Sequence, residues 1–250
     1  MGREIKRQIK YAKMKVNIIF DKYTKEKSLR TGWGVSFLVD EKILFDTGEN
    51  GSWLMANMES LNLEIDKIEA VVISHDHWDH TGGLWELLEK REGIRVYACP
   101  NFRPEFKERV KRLNGKLLET KSITEITKNV FVTGEIEGEY KGIYMAEQAL
   151  VVRTEKGVTI ITGCSHPGII KIVERVIREF SDKEIYLVFG GFHLIDKDSK
   201  IIENIVKTFR KMKVKKAGPT HCSGYEAEKL FKKEYKDNFV EVKVGQIIEV

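Results

Sequence analysis

Residues 70–83 read AVVISHDHWDHTGG, a short apolar run followed by three histidines and two aspartates within six residues. The apolar run predicts a buried strand. At the end of a strand, residues two apart point the same way, so His75 and His77 can offer their imidazoles to one metal ion. As the chain turns through the glycines into a helix, Asp79 and His80 are placed for a second ion. The segment therefore predicts a metal centre.

The other three histidines occupy equivalent positions, each just beyond a predicted strand in a loop of small residues. They are His166, His193 and His221, in the loops TGCSHPG, GGFHL and PTHCSG. In α/β proteins, sites assemble at the carboxyl ends of strands. We therefore expect all six histidines of the chain to converge. Asp46 also follows a predicted strand, where its carboxylate could fix the tautomer of a metal-bound histidine.

The remaining pattern indicates an α/β fold. The first half contains several short predicted strands, and from residue 148 onwards strands and helices alternate, which is typical of a layered α/β architecture. The stretch 101–147 mixes helix-like and strand-like pieces. Residues 1–13 are interpreted as a basic N-terminal extension, for which disorder is one interpretation, and residues 14–250 as a single domain.

The composition limits the class of partner. Lys and Arg outnumber Asp and Glu by 43 to 38, giving a net charge of +5, but both signs are interspersed. This favours an anionic small molecule and argues against nucleic acid, which needs a concentrated basic face. No apolar run is long enough to cross a membrane. Three cysteines without a CxxC pair favour a cytoplasmic location. The many charged residues and few glutamines resemble thermophile proteins.

These motifs resemble a known family. The segment HDHWDH, preceded by Asp46-Thr47-Gly48, is similar to the H-x-H-x-D-H signature of the metallo-β-lactamase superfamily. That resemblance implies an αβ/βα four-layer sandwich with a mono- or dinuclear metal site at its rim. The combination of SHDHWDHTGGL, ITGCSHPGI, GGFHL and PTHCSG is similar to the branch named for 7,8-dihydropterin-6-yl-methyl-4-(β-D-ribofuranosyl)aminobenzene 5'-phosphate synthase.

The resemblance also implies which residues bind metal. His75 and His77 match ligands of the first ion, whereas Asp79, His80 and His221 match ligands of the second.

One departure concerns the third ligand of the first ion. No histidine lies between His80 and Cys164, where the superfamily usually supplies that ligand. We infer that His166 replaces it. Many relatives have an aspartate or cysteine at the position of Cys164, and whether this thiol binds metal stays open.

The function implied is hydrolysis of an ester or phosphoester of an anionic small molecule by a metal-bound hydroxide. Two divalent ions are expected, with Zn favoured over Mn or Fe. Asp79 would orient the water, and His193 would protonate the leaving group or bind phosphate. The alternative is a transferase that couples a dihydropterin methyl diphosphate to ribofuranosylaminobenzene phosphate. A di-iron oxidoreductase is less favoured, because such relatives usually have Glu in place of His77. The oligomeric state is not indicated.

Overall fold

Two β-sheets pack face to face in the computed structural model, which describes residues 13–250. The first sheet has the strand order β15-β1-β2-β3-β4-β5-β6. Its strands are β1 (Lys15–Phe20), β2 (Ser36–Val39), β3 (Ile43–Phe45), β4 (Ala70–Val72), β5 (Arg95–Ala98), β6 (Lys116–Glu119) and β15 (Ile247–Glu249). Pairs from β15 to β3 are antiparallel, and those from β3 to β6 are parallel. The carboxyl ends of β3 and β4 therefore lie at one edge.

The second sheet has the strand order β14-β13-β12-β11-β8-β7. Its strands are β7 (Thr124–Thr127), β8 (Val130–Val132), β11 (Leu150–Thr154), β12 (Gly157–Thr162), β13 (Ile185–Gly191) and β14 (Lys216–Thr220). The three strands β12, β13 and β14 are parallel, and their carboxyl ends also share an edge. A separate hairpin pairs β9 (Ile136–Tyr140) with β10 (Ile143–Glu147).

Helices cover the outer faces of both sheets. On the first sheet lie α1 (Gly51–Ser60), α3 (Leu84–Lys90) and α4 (Pro104–Arg112), and on the second lie α5 (Ile169–Glu179), α6 (Ser199–Lys211) and α7 (Tyr225–Tyr235). The short helix α2 (Trp78–Thr81) precedes α3. Successive strand residues face opposite sides, so Ile18 contacts the core between the sheets whereas Ile19 contacts the helical side. The two sheets and the helices on their outer faces form four layers, which confirms the expected αβ/βα sandwich.

The strands and helices begin and end at slightly different residues from those expected. The strand predicted to reach Ser74 ends at Val72, so His75 and His77 lie in a loop, whereas His80 lies in α2. The region 101–147, which the sequence left ambiguous, forms α4 and the strands β6 to β10. The strands in this region are short and partly exposed, so their sequences show little alternation of apolar and polar residues.

The two sheets bring their loops together at one rim. Gly163 follows β12 and lies directly against Ser74 and Asp46 of the first sheet. A Cβ atom at Gly163 would lie 2.0 Å from Oγ of Ser74 and 2.8 Å from Oδ2 of Asp46. Glycine is therefore required at this position for the loop of the second sheet to approach the first.

Two sequence expectations concern the chain as a whole. The basic extension over residues 1–13 falls outside the described residues apart from Lys13, and the single domain over 14–250 stays a prediction. Within residues 13–250, no helix combines the length and apolar character needed to cross a membrane.

Candidate metal centre

The loop between β4 and α2 carries the first pair of histidines. Helix α2 begins directly after His77. Nε2 of His75 lies 3.1 Å from Nδ1 of His77, and the two rings meet edge to face. The imidazoles therefore converge as expected, but they do so because the loop bends and not because they share a strand face.

His166 approaches this pair from the loop after β12. Its ring centroid lies 4.8 Å from that of His75 and 5.0 Å from that of His77. Both ring nitrogens of His166 are buried, and neither has a hydrogen-bond partner among the described residues. A buried polar atom without a partner is unfavourable. The surroundings of His166 therefore suit a residue that binds an ion.

A second group lies beside the first and contains the other residues expected to bind metal, Asp79, His80 and His221. Oδ2 of Asp79 is 3.4 Å from Nε2 of both His80 and His221. Sγ of Cys164 is 3.3 Å from Nε2 of His80 and 3.4 Å from Nε2 of His221. Since Cys164 also lies within 4.8 Å of the donor atoms of His75 and His166, its thiol belongs to both groups.

The loop between β1 and β2 orients the last histidine. The backbone N–H of Gly34 donates a hydrogen bond to Nδ1 of His221 over 3.2 Å, which turns Nε2 towards Asp79. Trp33 packs on the same ring at a centroid distance of 4.7 Å. Gly34 has a φ of 96°, and a Cβ there would lie 1.7 Å from the carbonyl oxygen of Asp79. Only glycine fits this approach.

The charges of the cluster also suit a cation. Burial lowers the pKa of His75 well below its usual range and that of His166 to about 3, so both rings are neutral. Burial would raise the pKa of Asp79, but cationic His80 and hydrogen bonds from His221 and His80 hold it far below its usual range. Burial opposes the charge of His80, yet Asp79 and Asp46 raise its pKa. The neutral imidazoles of His75 and His166, a carboxylate and a thiol are donors that a divalent ion such as Zn²⁺ prefers, so the residues present fit a metal. Binding of an ion by Nε2 of His80 would displace the proton that this ring carries in the metal-free protein.

Asp46 contacts the side of the His80 ring that faces away from the cluster. Its Oδ2 atom lies 2.6 Å from Nδ1 of His80. The carboxylate also accepts hydrogen bonds from the backbone N–H and the hydroxyl of Ser74, each over 2.7 Å. This arrangement places Asp46 where the sequence analysis expected it, with the Nε2 side of His80 left to face the cluster.

Glu147 supports the loop that carries Cys164 and His166. Its Oε1 atom accepts hydrogen bonds from the backbone N–H groups of Cys164 and Ser165, and its Oε2 atom accepts one from His166. Burial raises the pKa of this carboxyl to about 7, although the three N–H groups act in the opposite direction. No local sequence pattern indicates this role, because Glu147 lies 17 residues or more before the backbone groups that it binds.

His193 lies at the side of the cluster. Its ring centroid is 4.5 Å from that of His166, and its donor atoms lie within 4.8 Å of the sulfur atoms of Cys164 and Cys222. A hydrogen bond with Cys222 raises the pKa of His193. Among the expected residues, His193 is therefore adjacent to the two groups, whereas His75, His77, Asp79, His80, His166 and His221 lie within them. Cys164, which the sequence left open, is at their centre.

Comparisons with known proteins identify relatives of this chain. The family model described as the metallo-beta-lactamase superfamily matches residues 34–179. A 7,8-dihydropterin-6-methyl-4-(beta-D-ribofuranosyl)-aminobenzene-5'-phosphate synthase from Methanocaldococcus jannaschii is 34% identical over 86% of this chain and 89% of its own length. The crystal structure of Tm1679, described as a metal-dependent hydrolase of the beta-lactamase superfamily, is 31% identical. It superposes with a TM-score of 0.80 over 95% of this chain and 99% of its own.

A more distant structure shares only the fold. The metallo-beta-lactamase fold protein YhfI from Bacillus subtilis is 15% identical, with a TM-score of 0.66 over 94% of this chain and 99% of its own.

Proposed function

Because this chain belongs to the metallo-β-lactamase superfamily and is therefore a metal-binding enzyme, we propose that it binds two divalent ions and hydrolyses an ester or phosphoester of an anionic small molecule. The family resemblance inferred from the sequence is confirmed by the comparisons. The number and identity of the ions, the substrate and the role of each residue belong to the proposal.

The observation that carries the proposal is that Cys164 lies within 4.8 Å of two sets of donor atoms, those of His75 and His166 and those of Asp79, His80 and His221. His77 joins the first set through its contacts with His75 and His166. His75, His77 and His166 would hold the first ion. Asp79, His80 and His221 would hold the second, with the Cys164 thiolate between the two. Mixed nitrogen, oxygen and sulfur donors favour Zn, and Mn or Fe remain alternatives.

The chemistry divides between the ions and the side chains. Divalent ions polarise a substrate oxygen and make water acidic enough to ionise near neutral pH. Asp79 would orient the attacking water by accepting its hydrogen bond. His193 would protonate the departing oxygen, and its Nδ1 atom is buried without a hydrogen-bond partner among residues 13–250. Because His75, His80 and His221 are fully buried, bulk water has little access to their side of the site.

The M. jannaschii relative favours a second candidate function. Its name describes a synthase, and it is 34% identical over most of both chains. In this chain, the corresponding reaction would join a dihydropterin methyl diphosphate to ribofuranosylaminobenzene phosphate with release of diphosphate. Both candidates expel an oxyanion from an anionic substrate, and they differ in whether water or a second substrate attacks.

The test is incubation of zinc-reconstituted protein with each of these two substrates alone, with both together, and with bis(4-nitrophenyl) phosphate. Mass spectrometry follows the products. Cleavage of a single substrate supports the hydrolase, whereas a coupled product formed only with both substrates supports the synthase. The double variant His75→Ala, His77→Ala should lose both metal and activity. Retained activity in that variant, or no reaction of any substrate with the wild type, would contradict the proposal.

A further inference from the structure

A cavity of about 530 Å³ opens beside the metal centre. His166 and His193 form part of its wall, so a molecule inside it can reach the histidine cluster. Apolar side chains of α5 and α6, including Ile169 and Ile205, line another side. Tyr140 and Lys141 at the tip of the β9–β10 hairpin, together with Lys197, complete the rim. The lining therefore combines apolar side chains with the two histidines, and exposed lysines lie at its mouth.

Tyr140 lies over the histidine cluster. Its ring centroid is 5.0 Å from that of His77, 5.1 Å from His166 and 5.8 Å from His193, and all three ring pairs meet at steep angles. The three histidines come from three different loops, and Tyr140 comes from neither main sheet. A substrate that reaches the cluster through this cavity must therefore pass along the Tyr140 ring.

The base of the hairpin is firmly held. A Cβ atom at Gly138 would lie 2.7 Å from the backbone nitrogen of Pro167, so the hairpin packs directly on the loop that carries His166. The Tyr144 hydroxyl donates a hydrogen bond to Glu135, and Lys171 donates one to the backbone carbonyl of Glu137. This anchoring fixes Tyr140 before a ligand arrives, which reduces the entropy lost on binding.

Lys141 places a positive charge next to this ring. Residues 141 and 142 have φ values of 52° and 76° and form the two-residue turn that joins β9 to β10. The Lys141 ammonium lies 5.1 Å from the Tyr140 centroid, and the side chain is exposed. Neither Lys141 nor Lys197 forms an ion pair within residues 13–250. Two carboxylates, Glu139 and Asp196, also lie at the rim, so the two lysines do not make the rim positive as a whole. An anionic ligand would therefore have to bind close to one of the lysines.

We propose that Tyr140 and Lys141 determine substrate specificity. The Tyr140 ring packs on a flat, unsaturated part of the substrate, and Lys141, assisted by Lys197, binds an anionic group remote from the reacting bond. The substrate class is then a small aromatic molecule with one anionic group at the metal centre and a second at the mouth of the cavity. This inference rests on the proposed function, in that it assumes an anionic substrate at that centre.

The test measures ligand binding without turnover. Zinc-loaded protein is titrated calorimetrically with benzylphosphonate and with 4-carboxybenzylphosphonate, which adds a distal anion. The variants are Tyr140→Leu, Tyr140→Phe and Lys141→Gln. The matched control is Lys156→Gln, because Lys156 also precedes a glycine in a hairpin turn but lies at the opposite end of β12 from Cys164. Metal content and thermal unfolding confirm that each variant is folded and loaded.

We expect the wild type to bind the carboxylated ligand more tightly. Lys141→Gln should weaken that ligand alone by about tenfold, whereas Tyr140→Leu should weaken both ligands by about tenfold and Tyr140→Phe should have little effect. Equal affinity of the wild type for the two ligands, or equal behaviour of Lys141→Gln and Lys156→Gln, would overturn the inference. Because neither ligand contains a cleavable ester, this result is independent of turnover. A wild type that binds as expected but cleaves no ester would count against the proposed function alone.

Discussion

The Nδ1 atom of His80 lies 2.6 Å from Oδ2 of Asp46, and both side chains are fully buried. Asp46 follows β3, whereas His80 is 34 residues further along the chain in α2. The contact therefore joins two neighbouring strands of the first sheet at their carboxyl ends. It also leaves Nε2 of His80 directed at Asp79 and Cys164.

Asp46→Asn should weaken metal binding without unfolding the protein. An amide accepts a hydrogen bond more weakly than a carboxylate and does not hold the His80 tautomer, so we expect metal affinity to fall by about 10- to 100-fold. Competition with a chelator measures this affinity. The control is Asp40→Asn, an exposed aspartate in the turn after β2. Equal affinity in the two variants would show that Asp46 does not act through the histidine.

Cys164→Ser should change the spectrum of the cobalt-substituted protein. If the thiolate binds metal, the wild type has a near-ultraviolet sulfur-to-cobalt charge-transfer band, and the serine variant lacks it and holds less metal. Cys99→Ser is the matched control, since Cys99 is also buried and free but lies in the core under the first sheet. A band that survives in Cys164→Ser and disappears in Cys99→Ser would reject the assignment.

Glu147→Gln should loosen the loop from Cys164 to His166. Each carboxylate oxygen accepts backbone hydrogen bonds, so an amide NH₂ must face at least one N–H group. We expect metal affinity to fall by at least tenfold and hydrogen exchange of these three amides to accelerate. Glu137→Gln, an exposed change on the same hairpin, should alter neither quantity. Unchanged exchange in Glu147→Gln would contradict a positioning role.

His193→Gln should slow turnover while leaving metal content unchanged. Loss of a general acid typically lowers the rate by about 10²- to 10⁴-fold, and the deficit should shrink for substrates whose leaving group needs no proton. Comparing kcat for esters of alkyl alcohols and of 4-nitrophenol measures this difference. Lost metal would instead identify His193 as a ligand, and an equal deficit for both leaving groups would exclude proton donation.

Asp21→Asn should remove part of the pH dependence of stability in the metal-free protein. Asp21 is fully buried against Thr220, and burial raises its pKa from 3.8 to about 7. Between about pH 4 and 7 the folded state therefore binds more protons than the unfolded state, so the free energy of unfolding falls as the pH rises through this window. One pKa unit corresponds to about 1.4 kcal/mol, so the wild type should lose on the order of 4 kcal/mol of unfolding free energy across this window. Asp21→Asn should not show this loss.

Denaturant titrations across this pH range measure the difference between wild type and variant. The control Asp237→Asn changes an exposed aspartate and should parallel the wild type at every pH. If Asp21→Asn also parallels the wild type, the ionisation of Asp21 is not linked to folding.

The accuracy of the sequence predictions depended on how local the pattern was. The segment from His75 to His80 indicated the fold family and the metal centre, since those residues follow one apolar strand within a few positions. The later histidines were expected at strand ends and are found there. In contrast, the strands between residues 116 and 147 were not resolved, because they are short and partly exposed on both faces.

Strand periodicity and the spacing of the histidines are properties of neighbouring residues, so the sequence alone predicted a layered α/β fold with histidines at strand ends. The αβ/βα sandwich followed from the resemblance of the H-x-H-x-D-H motif to the metallo-β-lactamase superfamily. The folded structure was needed to show that Cys164 lies between the two donor groups, that Glu147 supports its loop, and that Tyr140 covers the histidines. These relationships join residues that are distant in the chain. They depend on how closely two sheets and a hairpin pack, which no local pattern encodes.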